Sequence, residues 1–222
     1  MKKLISVAIA GVAATACAFA FTACGGDKET TYTVTADEWK TAIALLTDAN
    51  TSVDCTWKYA EDEFNADYFM TYDIVNQALK FKYVSADDSI DYVYVWKGDN
   101  SDYFMSSTSD TISKIDEQEF KTGVNDNFYE YAGGRILKAI KNKFADFSYS
   151  EEKKEYSCTI NETIPDYAED GVGVNLVVKF ENAKIVSMVS THGNSVYTFT
   201  YKYDGVTVIV PDNIKNLPVT ER

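Results

Sequence analysis

Residues 184–210 read KIVSMVSTHGNSVYTFTYKYDGVTVIV. Apolar and polar residues alternate through 184–191, through 195–203 and again through 206–210, the period-two pattern of strands with one buried face. Turn formers separate the runs: Thr191-His192-Gly193-Asn194 and Asp204-Gly205. Connections this short join antiparallel neighbours and leave no room for a crossover helix, so the segment predicts a meander.

The pattern extends in both directions. Behind it, 173–181 is joined through Glu181-Asn182-Ala183, and 155–164 and 147–150 alternate in the same way. The first half of the chain repeats it in 53–59, 67–72, 78–85, 91–97 and 101–107, with Gly98-Asp99-Asn100 as a hairpin connection. Five strands and then six make about eleven, and an open sheet of that size curls strongly.

Two places break the period. Thr35 and Glu38 form a capping box, and Trp39, Ala42, Ile43 and Leu46 recur at helical spacing, which predicts an amphipathic helix ended by Asp48-Ala49-Asn50. Between 113 and 144 an i, i+4, i+8 row emerges in Phe128, Tyr131, Ala132, Arg135, Ile136, Ala139, Ile140 and Phe144. Gly133-Gly134 interrupts it, so a helix is expected over about 135–144, with 116–121 as a short helical turn. The expected fold class is α+β: a curved antiparallel sheet of about 11 strands with two or three helices on its concave face.

The N-terminus carries Lys2 and Lys3, then an apolar run to about Phe21, the layout of a secretory signal. The run closes in Phe21-Thr22-Ala23-Cys24-Gly25-Gly26, which resembles the bacterial lipobox; Phe21 stands where leucine is usual. Cys17, after Ala14-Thr15-Ala16, is a rival site, but cleavage there would leave apolar residues at the mature N-terminus. The expected organisation is a signal peptide over 1–23, lipidated Cys24 with a flexible tether over 24–31, and one domain over 32–222. The acylated Cys24 would hold the chain on the extracytoplasmic face of the cell membrane without a transmembrane helix.

The formal charge is −13, and it becomes more negative once Lys2 and Lys3 are removed. That excludes electrostatic capture of nucleic acid or anionic head groups and suits a dispersed, monomeric exported protein. Aromatics make up 14% of the chain, including 16 Tyr and 12 Phe, which favours strands. Besides Cys24, Cys55 and Cys158 remain, and an oxidising compartment allows a disulfide between them, against two buried free thiols.

Particular residues carry a wider resemblance: the lipobox, the Thr35, Glu38, Trp39 helix opening after a short tether, the paired strands Lys82-Tyr83 and Tyr92-Val93-Tyr94, and the closing run from Tyr197 through Tyr203-Asp204-Gly205 to Pro211. Together they resemble the LolA/LppX-like half-barrel superfamily of lipoprotein carriers and lipid-transfer lipoproteins. The resemblance implies a half-barrel whose apolar hollow, closed by helices, holds acyl chains. Trp39, Ile43 and Leu46, with Ile136, Ile140 and Phe144, would line or cover such a hollow; ordinary helix-on-sheet packing explains the same stripes.

Catalytic patterns are missing. The single histidine, His192, sits at an apparent exposed turn, so neither a zinc cluster nor a histidine-based triad can be assembled. Glu61-Asp62-Glu63, Asp87-Asp88 with Asp91, and Asp166 with Glu169-Asp170 fall where turns are expected. None has the spacing of a calcium hand, and they read as solvated loops. The chain is therefore expected to be neither an enzyme nor a cofactor or metal carrier. One reading is a membrane-anchored protein that binds or transfers a hydrophobic ligand such as a lipid. The other is an envelope scaffold with a filled core that holds protein or glycan through Trp57, Trp96, Tyr68, Tyr72, Tyr92 and Tyr94.

Overall fold

The computed structural model describes residues 30–61, 64–84, 90–106, 111–165, 167–168 and 173–221. The signal segment, Cys17, Cys24 and the tether up to residue 29 lie outside them, as do Asp62, Glu63, Asp87, Asp88, Asp166, Glu169 and Asp170.

Helix α1 (Ala36–Thr47) begins where the capping box places it: Glu38 N–H donates to Thr35 Oγ1, and Thr35 N–H donates back to the Glu38 carboxylate at 2.8 Å. Six antiparallel strands follow, β1 (Val53–Glu61), β2 (Phe64–Asp73), β3 (Ala78–Val84), β4 (Ile90–Lys97), β5 (Tyr103–Ser106) and β6 (Ile112–Ile115). Then come α2 (Glu117–Tyr131), α3 (Gly134–Ile140) and a 3-10 turn (Phe144–Asp146). A second meander comprises β7 (Ser148–Ser150), β8 (Glu155–Ile160), β9 (Val174–Glu181), β10 (Lys184–His192) and β11 (Ser195–Lys202); α4 (Asp212–Lys215) and β12 (Val219–Glu221) close the chain.

All twelve strands among the described residues form one open, curved sheet in the order β12-β6-β5-β4-β3-β2-β1-β11-β10-β9-β8-β7, with α1, α2 and α3 on its concave side and α4 packed through Ile214 on the opposite face. The two meanders join at the centre, where β1 pairs with β11 from Asp54↔Lys202 to Glu61↔Ser195. The half-barrel fold class is the one the residues and the resemblance predict.

Four details differ from expectation. Residues 116–121 open a helix of 15 residues rather than a short turn. Asp116 and Glu119 form a second capping box, and Phe120, Val124 and Phe128 are buried along one stripe. The remaining faces are so polar that this stripe is thin in the sequence. The expected helix over 135–144 stops at Ile140, and Phe144 enters the 3-10 turn.

Residues 206–210 are not a strand. They run as a strap over the convex face, where Val208 and Val210 bury themselves with Ala78, Tyr94, Trp96 and Ile112. Val208 N–H donates to Asp73 Oδ2 rather than to a neighbouring strand. Alternation records which side of a segment is buried, not what partners its backbone. The strands β6 and β12 were absent from the expected set; β12 pairs parallel to β6, Val219 opposite Ile112.

The two ends of the sheet differ. At one, the turns at 74–77, 98–102, 151–154 and 182–183 lie together, and the N-terminal segment arrives there: Asn182 N–H donates to the Thr31 carbonyl at 2.8 Å. Helix α1 fills the concave side at this end. Trp39 is fully buried among Phe144, Phe147, Tyr156 and Phe180, with ring centroids 4.6–5.7 Å away, and its indole N–H donates to the Ile140 carbonyl. The other end carries the tip of β1 and the β10–β11 hairpin.

Candidate functional site

Toward that second end aromatic side chains line the curve of the sheet, and the α2–α3 junction faces them. Strand β1 turns Cys55, Trp57 and Tyr59 inward. Register sets Trp57 opposite Tyr68 of β2 on one side and Phe199 of β11 on the other. The three rings stand nearly parallel, Trp57 to Tyr68 at 4.2 Å and 18°, Trp57 to Phe199 at 6.0 Å and 7°. Both faces of the indole are thus covered by neighbours, and the row offers ring edges to what lies above it.

The opposite wall is the α2–α3 junction. Gly133 has φ +71°, in the left-handed region that glycine enters without steric cost. A Cβ there would stand 2.5 Å from Met188 Cε and 3.3 Å from the Phe199 ring, so only glycine lets the backbone lie this close to the sheet. The Tyr201 hydroxyl donates to the Ala132 carbonyl at 2.8 Å, and Cys55 Sγ donates to that of Tyr131 at 3.6 Å. These contacts fasten the junction over β1 and β11.

Between these walls lies a hollow of about 290 Å³ bounded by Trp57, Tyr68, Arg135, Ile136, Tyr167 and Tyr197. A second hollow of about 530 Å³ lies over Leu79, Phe81 and Val93, beneath Asp126 and Asn127 of α2. Glu130 borders both, and Tyr131 stands between them, 4.2 Å from the Phe81 ring and 5.6–5.7 Å from Trp57 and Tyr68.

Polar groups gather at the rim. Arg135 pairs with Glu130, Tyr59 donates to Glu61, and Ser195 Oγ donates to Glu61 at 3.0 Å. Those hydrogen bonds, Tyr59 first, hold the Glu61 carboxyl below its usual range. Tyr167 shares a 2.7 Å hydrogen bond with Ser190, and burial pushes its phenol above the ordinary value. His192, expected at an exposed turn, is instead the last residue of β10, half-buried with its ring 5.8 Å from Tyr167. Among the described residues no group of three or more His, Cys, Asp or Glu could hold a metal ion.

Of the residues read from sequence as lining a hollow, Trp39, Ile43, Leu46, Ile136 and Ile140 are at most 1% exposed, and Phe144 packs against them half-buried. Only Ile136 borders the aromatic hollow. Of the aromatics proposed for a contact surface, Trp57 and Tyr68 meet in its wall, Tyr72 packs edge-on to Phe128 in the core, and Tyr94 and Trp96 lie under the strap. The Tyr92 side chain lies outside the described side chains.

Cys55 and Cys158 are free thiols on β1 and β8, with β11, β10 and β9 between their strands. Burial raises both, Cys158 to about 11.

Tyr131, Tyr167, Tyr197 and Phe199 were missed as wall residues. Their one signal is the register that sets Phe199 beside Trp57, which sequence reveals only once the β1–β11 pairing is known.

No protein-family model matches the chain, and no curated protein does. Among solved structures it is similar to LprF from Mycobacterium bovis, at 12% identity over 81% of this chain and 97% of that one, with TM-score 0.42. It is also similar to the lipoprotein LppX of Mycobacterium tuberculosis, at 14% identity over 78% and 99%, with TM-score 0.38. A third similarity is to MucB in complex with MucA(peri), at 8% identity over 81% and 61%, with TM-score 0.36. At such scores the likeness is one of general outline, and the chemistry of the hollow is carried by this chain's own residues.

Proposed function

We propose that the chain is an extracytoplasmic lipoprotein, anchored through Cys24, that binds a hydrophobic ligand in the aromatic hollow above β1, β2 and β11. The observation behind this reading is a contrast within one concave face. Where α1 lies the core is closed around Trp39, whereas around Trp57 a hollow of about 290 Å³ stays open against apolar walls. Binding sites for small molecules are of this kind, concave and mostly apolar with a few polar groups at the rim. Arg135 and the rim tyrosines suit a ligand with a polar head, and the covered faces of Trp57 disfavour a sugar stacked on that ring. Binding rather than catalysis is the reading that this largely aromatic and apolar lining supports.

The closed core around Trp39 is also what a scaffold protein would show, and one experiment separates the two. Residues 27–222, purified gently, are examined by native mass spectrometry with organic extraction, then delipidated and offered a lipid panel. Lipid-mass adducts that rebind at fixed stoichiometry and change Trp57 fluorescence support the binding reading. A bare mass throughout, with no uptake, refutes it and moves the search to protein or glycan partners.

A further inference from the structure

Three large apolar side chains stand exposed at the end of the sheet where the N-terminal segment arrives or on the strap beside it: Val75 at 84%, Ile209 at 77% and Ile74 at 38%. They are not scattered. Beneath them Asp73, 2% exposed, receives the Val75 and Asn76 backbone N–H groups at 3.1 Å through Oδ1, and the Val208 N–H at 3.3 Å through Oδ2. One buried carboxylate thus fixes the backbone of both the β2–β3 turn and the strap, and presents the side chains next to them outward together. Val219, the other exposed large apolar residue among those described, lies opposite Ile112 at the far end of the sheet.

The N-terminal segment meets the domain at the same end as this trio, through the paired hydrogen bonds of Thr31 and Asn182. Six residues, 25–30, lie between Cys24 and Thr31, a path of seven Cα steps. Fully extended, that stretch of chain reaches at most about 25 Å. The ten residues of β2 span about 33 Å from this end to the other. The mouth of the aromatic hollow is at that other end, where Tyr59, Tyr167 and Tyr197 border it and Glu61 and Ser195 form its rim. A tether shorter than the domain is tall holds the trio near the bilayer and keeps the mouth away from it.

We infer that the domain stands on the membrane that anchors it, with Ile74, Val75 and Ile209 in the bilayer surface and the mouth of the hollow directed away from that bilayer. The inference rests on the proposed acylation of Cys24. The contact is apolar: a chain of net charge −13 gains nothing from anionic head groups, so zwitterionic lipid suffices. A ligand then enters and leaves on the aqueous side or through a partner facing the mouth, not from the anchoring leaflet.

The test uses the full chain, made with its leader in a host that lipidates and reconstituted into phosphatidylcholine vesicles carrying nitroxide-labelled lipid. In a Cys158→Ser background, a fluorophore is placed on Val75→Cys or on Val219→Cys; both positions are exposed, so neither change disturbs packing. Severalfold stronger quenching at 75 than at 219 is expected, and it should be unchanged when a fifth of the lipid is anionic. Protein that floats with the vesicles but is quenched equally at both positions, or more at 219, overturns the orientation and leaves the anchor standing. Protein that does not float and shows no acyl mass at Cys24 overturns the anchor and the orientation with it.

Discussion

Replacing Gly133 by alanine tests whether the α2–α3 junction is held against the sheet by the absence of a side chain. At φ +71° an alanine costs about 1 kcal/mol in backbone energy alone. Its Cβ would also sit 2.5 Å from Met188 Cε and 3.3 Å from both the Phe199 ring and the Tyr201 hydroxyl. Met188 ends in a flexible thioether and can retreat. Phe199 is 3% exposed and Tyr201 is bonded to Ala132, so they move only by shifting the junction. Overpacking of this kind costs about 1–3 kcal/mol, for a total of about 2–4 kcal/mol. In a domain of this length that lowers Tm by roughly 5–15 °C. The control is Gly123→Ala, in the middle of α2 with nothing within 4 Å of the added Cβ, which should stabilise by about 0.5–1 kcal/mol. Urea and thermal melts of both variants measure the contrast, and ligand uptake by Gly133→Ala should weaken because Phe199 walls the hollow. If Gly133→Ala melts with the wild type, or with Gly123→Ala, the close approach is not what holds the site together.

Other consequences concern separate parts of the molecule. Burial alone would raise the Asp73 carboxyl, but hydrogen bonds from the Asn76 side chain and backbone, from Val208 and from Val75 outweigh it and hold the group below its usual value. Its stabilising contribution is therefore complete above about pH 4, the unfolded value, and is lost as pH falls through the lower folded one. Asp73→Ala should cost about 2–4 kcal/mol by stranding the N–H donors of the turn and strap; urea midpoints from pH 7 to 2.5 should show the acid-side slope shrinking in the variant. Tyr131→Ala removes the ring between the two hollows, so probes with longer acyl chains should bind more tightly relative to short ones, as fluorescence titration would show. With a thiol pushed up to about 11 by burial, Cys158 should react with a disulfide reagent at pH 8 roughly a hundredfold more slowly than a free cysteine, and Cys55 only on unfolding. A native protein in which neither thiol reacts even after denaturation would instead contain a Cys55–Cys158 bond.

What could be read from sequence was what repeats. Alternation in β8 to β11 and the Thr35–Glu38 box are local signals, strong enough to fix the meander and the first helix without knowledge of their neighbours. The strap at 206–210 shows the limit of such a signal: Val208 and Val210 are buried as alternation requires, yet the Val208 N–H goes to Asp73, a residue 135 positions away. The site was harder still. Trp39 and Trp57 look alike in sequence, each an indole on a one-sided apolar stripe. The helix carrying Trp39 brings its own neighbours and packs shut. Trp57 stands on a strand, and whether space remains above it depends on how near the 132–134 backbone approaches and where α2 ends. That distance is set by one left-handed glycine and by a tyrosine hydroxyl from β11, a contact 69 residues apart in the chain. A hollow is the volume that no side chain claims, so no residue pattern can announce it. It became legible only once the β1–β11 register placed Tyr68, Trp57 and Phe199 side by side, with the α2–α3 junction facing them across the gap.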